Sequence, residues 1–572
     1  MQDRGAMESV IGKGRRKFWY LMLASCLLWL LLIYMYLSAL KVDEDHASNS
    51  GHIVESQVKE TRSALHVSAT GNAIDNFFIG GDWDKYLEEA SKTYENSRPD
   101  QRDQMVAKEK PDMESAKQTG VGKTAVIESN STSGSESCSG RYIYIYDLPS
   151  RFNDDLLKNC KSLNEWYNMC PYVSNNGLGP KLNNFERELS DNGWFETNQF
   201  TLEVIFHNRM KQYNCLTNDS SLASAIFVPY YAGLDIGRYL WHSDRSMRDR
   251  DSNSLVKWLR KRPEWKKLWG RDHFMVAGRI TWDFRRLKNW NNDWGNRLML
   301  LPESRNMTVL TIEASPWHRN DFAIPYPTYF HPATDEQVLQ WQNKMRRSKR
   351  RILFSFAGAQ RPNMTDSIRG EIIKQCQAAK KKCRLLDCTS GSRKCYEPTY
   401  VMKLFQSSVF CLQPPGDSMT RRSIFDSILA GCIPVFFHPG SGYVQYIWYF
   451  PKDHNQYSVF ISAKKVRNQK VRIESLLSRI TKTKIMAMRE MVIKLIPGVI
   501  YADPASRLEN LEDAFDITID GVLVRIERIR KDIEKGENVS DDDWEEFTWK
   551  KSLFGTIGKH EWDPFFARKE NT

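Results

Sequence analysis

The pattern of apolar and polar positions divides the chain into three stretches. Phe18 to Leu40 is an unbroken run of 23 uncharged residues, mostly Leu, Trp, Tyr and Met. A helix of that length spans a bilayer. It is too long for a signal-peptide core, and no small-x-small cleavage site precedes Lys41. Residues 41 to 139 are polar and rich in Ser, Asn, Glu and Lys, with one short amphipathic piece at Trp83–Ala90. This composition predicts a largely disordered stem. At Arg141 the texture becomes that of a folded body. Apolar runs predict strands at Tyr142–Tyr146, Ala225–Tyr230, Phe274–Ala277, Val309–Ile312, Ile352–Phe356, Arg384–Leu386, Ser408–Leu412, Ile433–Phe437 and Ser458–Ile461. Between them, helical periodicity runs over Phe200–Gln212, Leu255–Leu268, Ile368–Ala379 and Arg422–Ala430. Short buried strands alternating with helices predict an α/β architecture with parallel sheets.

A polar break at Asp335–Arg351 suggests a boundary between two α/β domains, with a ligand cleft at the carboxyl ends of their strands. The expected organisation is a tail (1–17), a membrane helix (18–40), a stem (41–139), a first α/β domain (140–340) and a second (341–540). A terminal segment (541–572) begins Asp541-Asp542-Asp543 and returns to aromatics at Trp549, Phe554 and Trp562, so it is expected to pack back on the body.

Charge orients this arrangement. Lys13, Arg15, Arg16 and Lys17 precede the apolar run, and Asp43, Glu44 and Asp45 follow it. The positive-inside rule places the N-terminus in the cytosol and the body across the membrane. The net charge of +12 would suit a nucleic acid, but the basic residues are scattered. The tightest cluster, Arg346-Arg347-Ser348-Lys349-Arg350-Arg351, has no aromatic stacking pattern around it and reads as a solvated linker. No nucleic-acid partner is expected.

Ten cysteines follow the apolar run, an even number that fits disulfides in an oxidising compartment. A zinc site is disfavoured because no C-x-x-C occurs. Sequons begin at Asn130, Asn218, Asn306, Asn363 and Asn538, all after the apolar run, as expected of an N-glycosylated luminal protein.

The chemistry concentrates in one segment, Phe410-Cys411-Leu412-Gln413-Pro414-Pro415-Gly416-Asp417-Ser418-Met419-Thr420-Arg421-Arg422-Ser423-Ile424-Phe425-Asp426, continuing to Gly431 and Val435. A strand enters a Pro/Gly loop, a helix follows, and Gly431 precedes the next strand. The loop offers backbone N–H groups and the positive end of a helix dipole to a diphosphate. Arg421 and Arg422 add charge-assisted bonds. Asp426, one turn into the helix, is placed to accept two ribose hydroxyls.

The same residues carry a resemblance. Tyr144-Ile145-Tyr146-Asp147-Leu148-Pro149, Phe227-Val228-Pro229-Tyr230-Tyr231-Ala232-Gly233-Leu234-Asp235, Gly270-Arg271-Asp272-His273-Phe274, Ile324-Pro325-Tyr326-Pro327-Thr328-Tyr329-Phe330-His331-Pro332 and the Gly416–Val435 segment follow the order of the exostosin family, glycosyltransferase family 47. The chain resembles most its plant xyloglucan galactosyltransferase clade. That resemblance implies a GT-B fold, two Rossmann-like domains with the UDP-sugar on the second. It implies a Golgi enzyme that moves galactose from UDP-galactose onto xyloglucan with inversion. Gly358 and Arg369 match family positions near the donor, as do Gln413, Asp417 and Ser418 within the loop.

An inverting transfer needs a general base and a stabiliser of the departing diphosphate. Asp235, after a strand-like run, and the adjacent pair Asp272 and His273 are the candidate bases. Glu313 and Asp321 flank a third strand. An Asp after a strand also serves as a helix cap, and the residues leave this choice open. The Asp-x-Asp pairs at Asp82, Asp249 and Asp541 do not follow strands, so no obligatory metal is expected. Ten of the eighteen tryptophans lie between Arg141 and Pro332, with Trp282, Trp290 and Trp294 in a polar stretch suited equally to stacking on sugar rings or to anchoring loops. The alternatives are another UDP-sugar such as UDP-galacturonic acid, another wall polysaccharide as acceptor, or a non-catalytic Golgi partner in polysaccharide synthesis. Complexes with other Golgi glycosyltransferases are a further expectation.

Overall fold

The computed structural model describes residues 138, 140–182, 188–286, 294–389, 393–395, 397–536 and 562–566. The expected membrane helix, the stem, Trp290, Asn130 and Asn538 lie outside the described residues. Among the described residues no helix is long and apolar enough to cross a membrane.

Two five-stranded sheets, both fully parallel, form the frame. The first runs β1 (Ile143–Ile145), β2 (Ala225–Phe227), β3 (His273–Ile280), β4 (Thr308–Glu313) and β5 (Asp321–Ala323), in that spatial order. The second contains β6 (Ile352–Gly358), β7 (Cys383–Asp387), β8 (Ser408–Gln413), β9 (Ile433–Phe436) and β10 (Val459–Phe460), in the order β10-β9-β8-β6-β7. Each predicted strand is present within a few residues. β5 is absent from the sequence reading because Asp321-Phe322-Ala323 has too few apolar positions to show a period.

β3, in the middle of its sheet, is buried along its whole length, which explains its continuous apolar texture. The helix expected over Leu255–Leu268 is two helices, because Pro263 opens a new one after Arg262. The other three expected helices are α1 (Leu202–Met210), Arg369–Ala378 and Arg422–Leu429.

The stretch Asp335–Arg351, expected as a linker, is largely a helix, α2 (Asp335–Arg347). Its one apolar stripe was masked by polar neighbours. Trp341 on that stripe packs edge-on against Trp194 and donates to Leu429 O at 2.8 Å. Nor is the Arg346–Arg351 cluster simply solvated. Arg350 donates to Phe405 O at 2.8 Å and Ala430 O at 2.6 Å, and burial pushes its pKa down to about 9.

A long helix, α3 (Ala514–Glu534), starts at a capping box formed by Asp513 and Asp516. It packs back on the first sheet: Arg525 Nε donates to Thr308 Oγ1 at 3.0 Å, and Asp513 pairs with Arg209 of α1 at 3.3 Å. Of the terminal segment, residues 562–566 do pack on the body, with Trp562 stacked 5.1 Å from Tyr443.

All ten cysteines form disulfides: Cys138–Cys215, Cys160–Cys170, Cys376–Cys383, Cys388–Cys395 and Cys411–Cys432. Sequon residues Asn218 and Asn363 are exposed. Asn306 is half-buried and donates to Trp269 O at 2.9 Å.

Candidate functional site

The order of the second sheet reverses between β6 and β8: from β6 the chain steps outward to β7, then returns to the far side for β8. Connections from the two central strands diverge there, leaving a crevice at their carboxyl ends. Gly358 closes β6, and the loop Pro414–Arg421 follows β8. That loop feeds α4 (Arg422–Leu429).

The loop is held by charge. Arg369 Nε donates to Pro415 O at 3.1 Å. Asp417 is buried between Arg361 at 3.0 Å and Arg421 at 3.6 Å. Gly416 lies under the Arg421 side chain, where a Cβ would fall 1.4 Å from Nη2, so any larger residue would displace that guanidinium. Gln413 braces the base of the loop, its Oε1 accepting from Ser423 Oγ at 2.6 Å.

A cavity with about 1130 Å³ of empty space opens above, lined by Gly358, Arg361, Arg369, Arg421, Arg422 and Asp426. Four guanidiniums face it against two carboxylates, Asp426 and the paired Asp417, leaving a surplus of positive charge suited to a diphosphate. Asp426 is buried, 3.7 Å from Arg422 Nε, and its Oδ1 has no hydrogen-bond partner in the structure. Burial raises its pKa to about 6, with Arg422 opposing. A buried acceptor without a donor is costly, and two ligand hydroxyls would satisfy it.

The first sheet supplies the opposite wall. Asn198, Gln199, Tyr326 and Tyr329 line the same cavity. Arg422 lies over the Tyr329 ring at 3.5 Å and donates to Thr197 O at 2.5 Å. Glu313, at the carboxyl end of β4, accepts from Thr420 N at 2.7 Å, Thr420 Oγ1 at 2.6 Å and Trp282 Nε1 at 2.8 Å. Gln445 exchanges two bonds with the backbone of Ala314. The two sheets thus meet across their carboxyl ends. A second cavity, with about 680 Å³ of empty space, adjoins the loop at Asp417, Ser418 and Arg421 and runs toward the first sheet.

The structure therefore brings Gly358, Arg369, Arg421, Arg422 and Asp426 to one cavity, with Asp417 and Ser418 at its neighbour. Gly431 is elsewhere. It turns the chain after α4 at φ +62, and a Cβ there would press on Arg350 and Ile493. Its role is backbone geometry.

The expected bases are not in the cleft. His273 opens β3 at its amino end, roughly 20 Å of strand from the carboxyl edge. It is fully buried between Tyr146 OH at 3.0 Å and Asp272 at 2.8 Å, and Asp272 in turn faces Arg530 at 3.5 Å. Asp235 lies on the short helix Ala232–Gly237, accepting from Tyr230 OH at 2.6 Å and paired with Arg238. These three hold the fold. Asp321, at the start of β5, pairs with Arg285 at 3.0 Å and accepts from Ser315 N at 2.9 Å. Trp282 and Trp294, open to a sugar-stacking or a loop-anchoring role, are buried.

Two contributors escaped the sequence reading. Arg361 follows β6 by three residues, a position whose strand-end context was available. Tyr329 was seen only as part of a family string, because its contact with Arg422 spans the two sheets.

Residues 137–476 match the exostosin GT47 domain. The chain belongs to the exostosin family, glycosyltransferase family 47. It is 56% identical to xyloglucan galactosyltransferase MUR3 of Arabidopsis thaliana over 76% of this chain and 71% of that protein. It is 42% identical to xyloglucan galactosyltransferase XLT2 of the same plant, over 69% of this chain and 77% of that one. Xyloglucan-specific galacturonosyltransferase 1, also from Arabidopsis thaliana, is 43% identical over 68% of this chain and 58% of its own length. Among solved structures, the GtfA/B complex aligns at a TM-score of 0.24 and 10% identity, over 48% of this chain and 61% of that chain, too little to bear on the fold.

Proposed function

We propose that this exostosin-family protein transfers galactose from UDP-galactose onto xyloglucan side chains with inversion. The observation that carries the reading is the cavity at the β6/β8 reversal, lined by four guanidiniums and by a buried carboxylate with an unsatisfied oxygen. A nucleoside diphosphate answers both features: its phosphates meet the guanidiniums and its ribose hydroxyls donate to Asp426. In a single displacement the α-linked donor becomes a β-galactoside, and negative charge grows on the departing diphosphate. Arg421, at the loop and the helix entry together, is placed to meet that charge. The positive charge comes from arginine side chains, so transfer is expected to persist in EDTA.

The two sheets are read as the halves of a GT-B enzyme, 140–340 facing the acceptor and 341–540 the donor, with α3 crossing back. The uncharged apolar run at 18–40, the five disulfides and the exposed sequons Asn218 and Asn363 support a single-pass Golgi enzyme with a luminal body. UDP-galacturonic acid is the second donor to consider, given the galacturonosyltransferase relative.

The test is UDP release by the purified luminal segment from a panel of UDP-sugars, with and without xyloglucan. UDP-galactose should turn over only when xyloglucan is present. Preference for UDP-galacturonic acid would reassign the donor, and release with neither would sink the reading.

A further inference from the structure

Arg421 belongs to both cavities, and the second is the more aromatic of the two. Its far wall is built on β3. The register of β3 against β4 shifts between Ala277 and Ile280. Such an irregularity re-aims the side chains that follow it. Arg279 sits at the shift, and Asp283 lies in the 3-10 turn Thr281–Phe284 at the carboxyl end of the strand.

Both side chains are fixed. Arg279 Nε donates to Asp283 Oδ2 at 2.6 Å, and its guanidinium lies 4.1 Å over the Phe200 ring. Gly233 leaves room for this, since a Cβ there would come within 2.9 Å of Arg279 Cγ. Trp294 Nε1 donates to Asp283 Oδ1 at 3.2 Å. Asp283 and Arg279 face the cavity on one side, Ser418 and Arg421 on the other, with half-buried Trp166 and Trp241 in the walls. Aromatic faces beside a carboxylate are what a pyranose ring with a reacting hydroxyl requires.

Glu203 and Glu313, also buried and hydrogen-bonded, do not line this cavity. Glu203 accepts from the backbone of Gly233, Leu234 and Gly278, and Glu313 from Thr420 and Trp282. The other carboxylate at this cavity, Asp417, is held by Arg361 and Arg421.

We propose that this second cavity binds the acceptor sugar and that Asp283 takes the proton from its attacking hydroxyl, with Arg279 as a positioning residue. This rests on the galactosyl-transfer reading. The hydroxyl proton passes to the Asp283 carboxylate, and the oxygen's electron pair forms the bond to the anomeric carbon of the donor. The bond from that carbon to the diphosphate oxygen breaks, and its pair leaves on UDP beside Arg421. The proton goes to solvent once product departs. Burial raises the pKa of Asp283, and the Arg279 charge, opposing that shift, favours the ionised form.

The test compares parent, Asp283→Asn, Asp283→Ala and Trp241→Ala. Asp283→Asn should bind UDP within about twofold of the parent by calorimetry and lose transfer by about 10³-fold. Asp283→Ala, given azide as a nucleophile that needs no base, should form β-galactosyl azide from UDP-galactose faster than the parent does. Trp241→Ala should raise the KM for a xyloglucan oligosaccharide about tenfold at unchanged UDP affinity. Transfer by Asp283→Asn within tenfold of the parent overturns the proposal, as does loss of UDP binding in that variant. Should Asp283→Asn not fold, Asp283→Glu is decisive: an unchanged kcat overturns the base, and a lowered kcat with a shifted acid limb supports it. A parent that binds UDP but transfers to no acceptor refutes the galactosyl reading instead. Oligosaccharide quenching of tryptophan fluorescence, lost in Trp241→Ala, scores the cavity separately.

Discussion

The two sheets share strand number and direction, and they differ in order. The first advances strand by strand from β1 to β5, with no reversal. The second reverses between β6 and β8, and the arginine-rich cavity lies at that reversal. The contents differ as well. The charged side chains lining the arginine-rich cavity are Arg361, Arg369, Arg421, Arg422 and Asp426, and the last three share one short segment. The aromatic cavity draws Trp166, Phe200, Trp241 and Asp283 from four separate places in the chain. One parallel architecture can thus offer a compact, charged phosphate cradle or a dispersed, flat-sided pocket. Strand order and the loops at the carboxyl edge decide which.

The division predicts that charge changes on the second sheet alter donor chemistry, and that changes at the amino edge of the first alter only stability. The largest effect should come from Arg421→Ala. Losing a donor aimed at growing charge should cut kcat by about 10²–10³-fold, or about 3–4 kcal/mol. Arg421→Lys should recover only part, since one ammonium cannot make a two-pronged contact. Transfer kinetics of both variants check this, and an unchanged kcat would remove Arg421 from the donor side.

Next is the tie between the sheets. Glu313→Ala leaves three buried donors without an acceptor and should destabilise the protein by about 3 kcal/mol, read in thermal unfolding. A small change there would mean the two sheets are held mainly by other contacts.

Asp426→Ala should weaken UDP binding ten- to a hundredfold, about 1.5–3 kcal/mol. The pH dependence sharpens this. The folded-state pKa of about 6 lies above the ordinary value of 3.8. In that window the folded protein holds the extra proton, so this group's contribution to stability is lost as pH rises through about 6. UDP affinity should move the other way, falling by up to about tenfold per pH unit below 6, because ribose hydroxyls need the carboxylate. Calorimetry from pH 5 to 8 should show a dependence that Asp426→Ala lacks.

The smallest effect on activity is expected from His273→Ala. It breaks buried bonds to Tyr146 and Asp272 and should cost about 1–3 kcal/mol of stability with kcat near the parent's. Collapse of kcat in a stable variant would restore His273 as a base and erase the distinction between the two edges.

The arginine-lined cavity was legible because the segment that supplies much of its charge is local. Strand, glycine loop, arginine pair and helix follow one another, and the phosphate reading needs only that succession. The acceptor half was misread for the opposite reason. An Asp beside a strand can point to either end and either face, and one chain position does not say which. Asp235 pairs with Arg238, three residues along its own helix, while Asp283, unnoticed, faces the cavity. The tryptophans, open to a sugar-stacking or a structural reading, take the structural one at Trp282 and Trp294. Trp282 sits in a polar stretch but is buried, its indole N–H answered by Glu313 from another strand.

By itself the sequence determined the alternation of strands and helices, the length of the apolar run at 18–40, and the family. These rest on periodicities and motifs that adjacent residues carry within their own segment. Strand order, disulfide pairing, burial of His273 and the place of Asp283 and Arg421 on one cavity were decided only by the tertiary structure. Each depends on how the elements pack, since side-chain desolvation and pairing exist only after that packing is made.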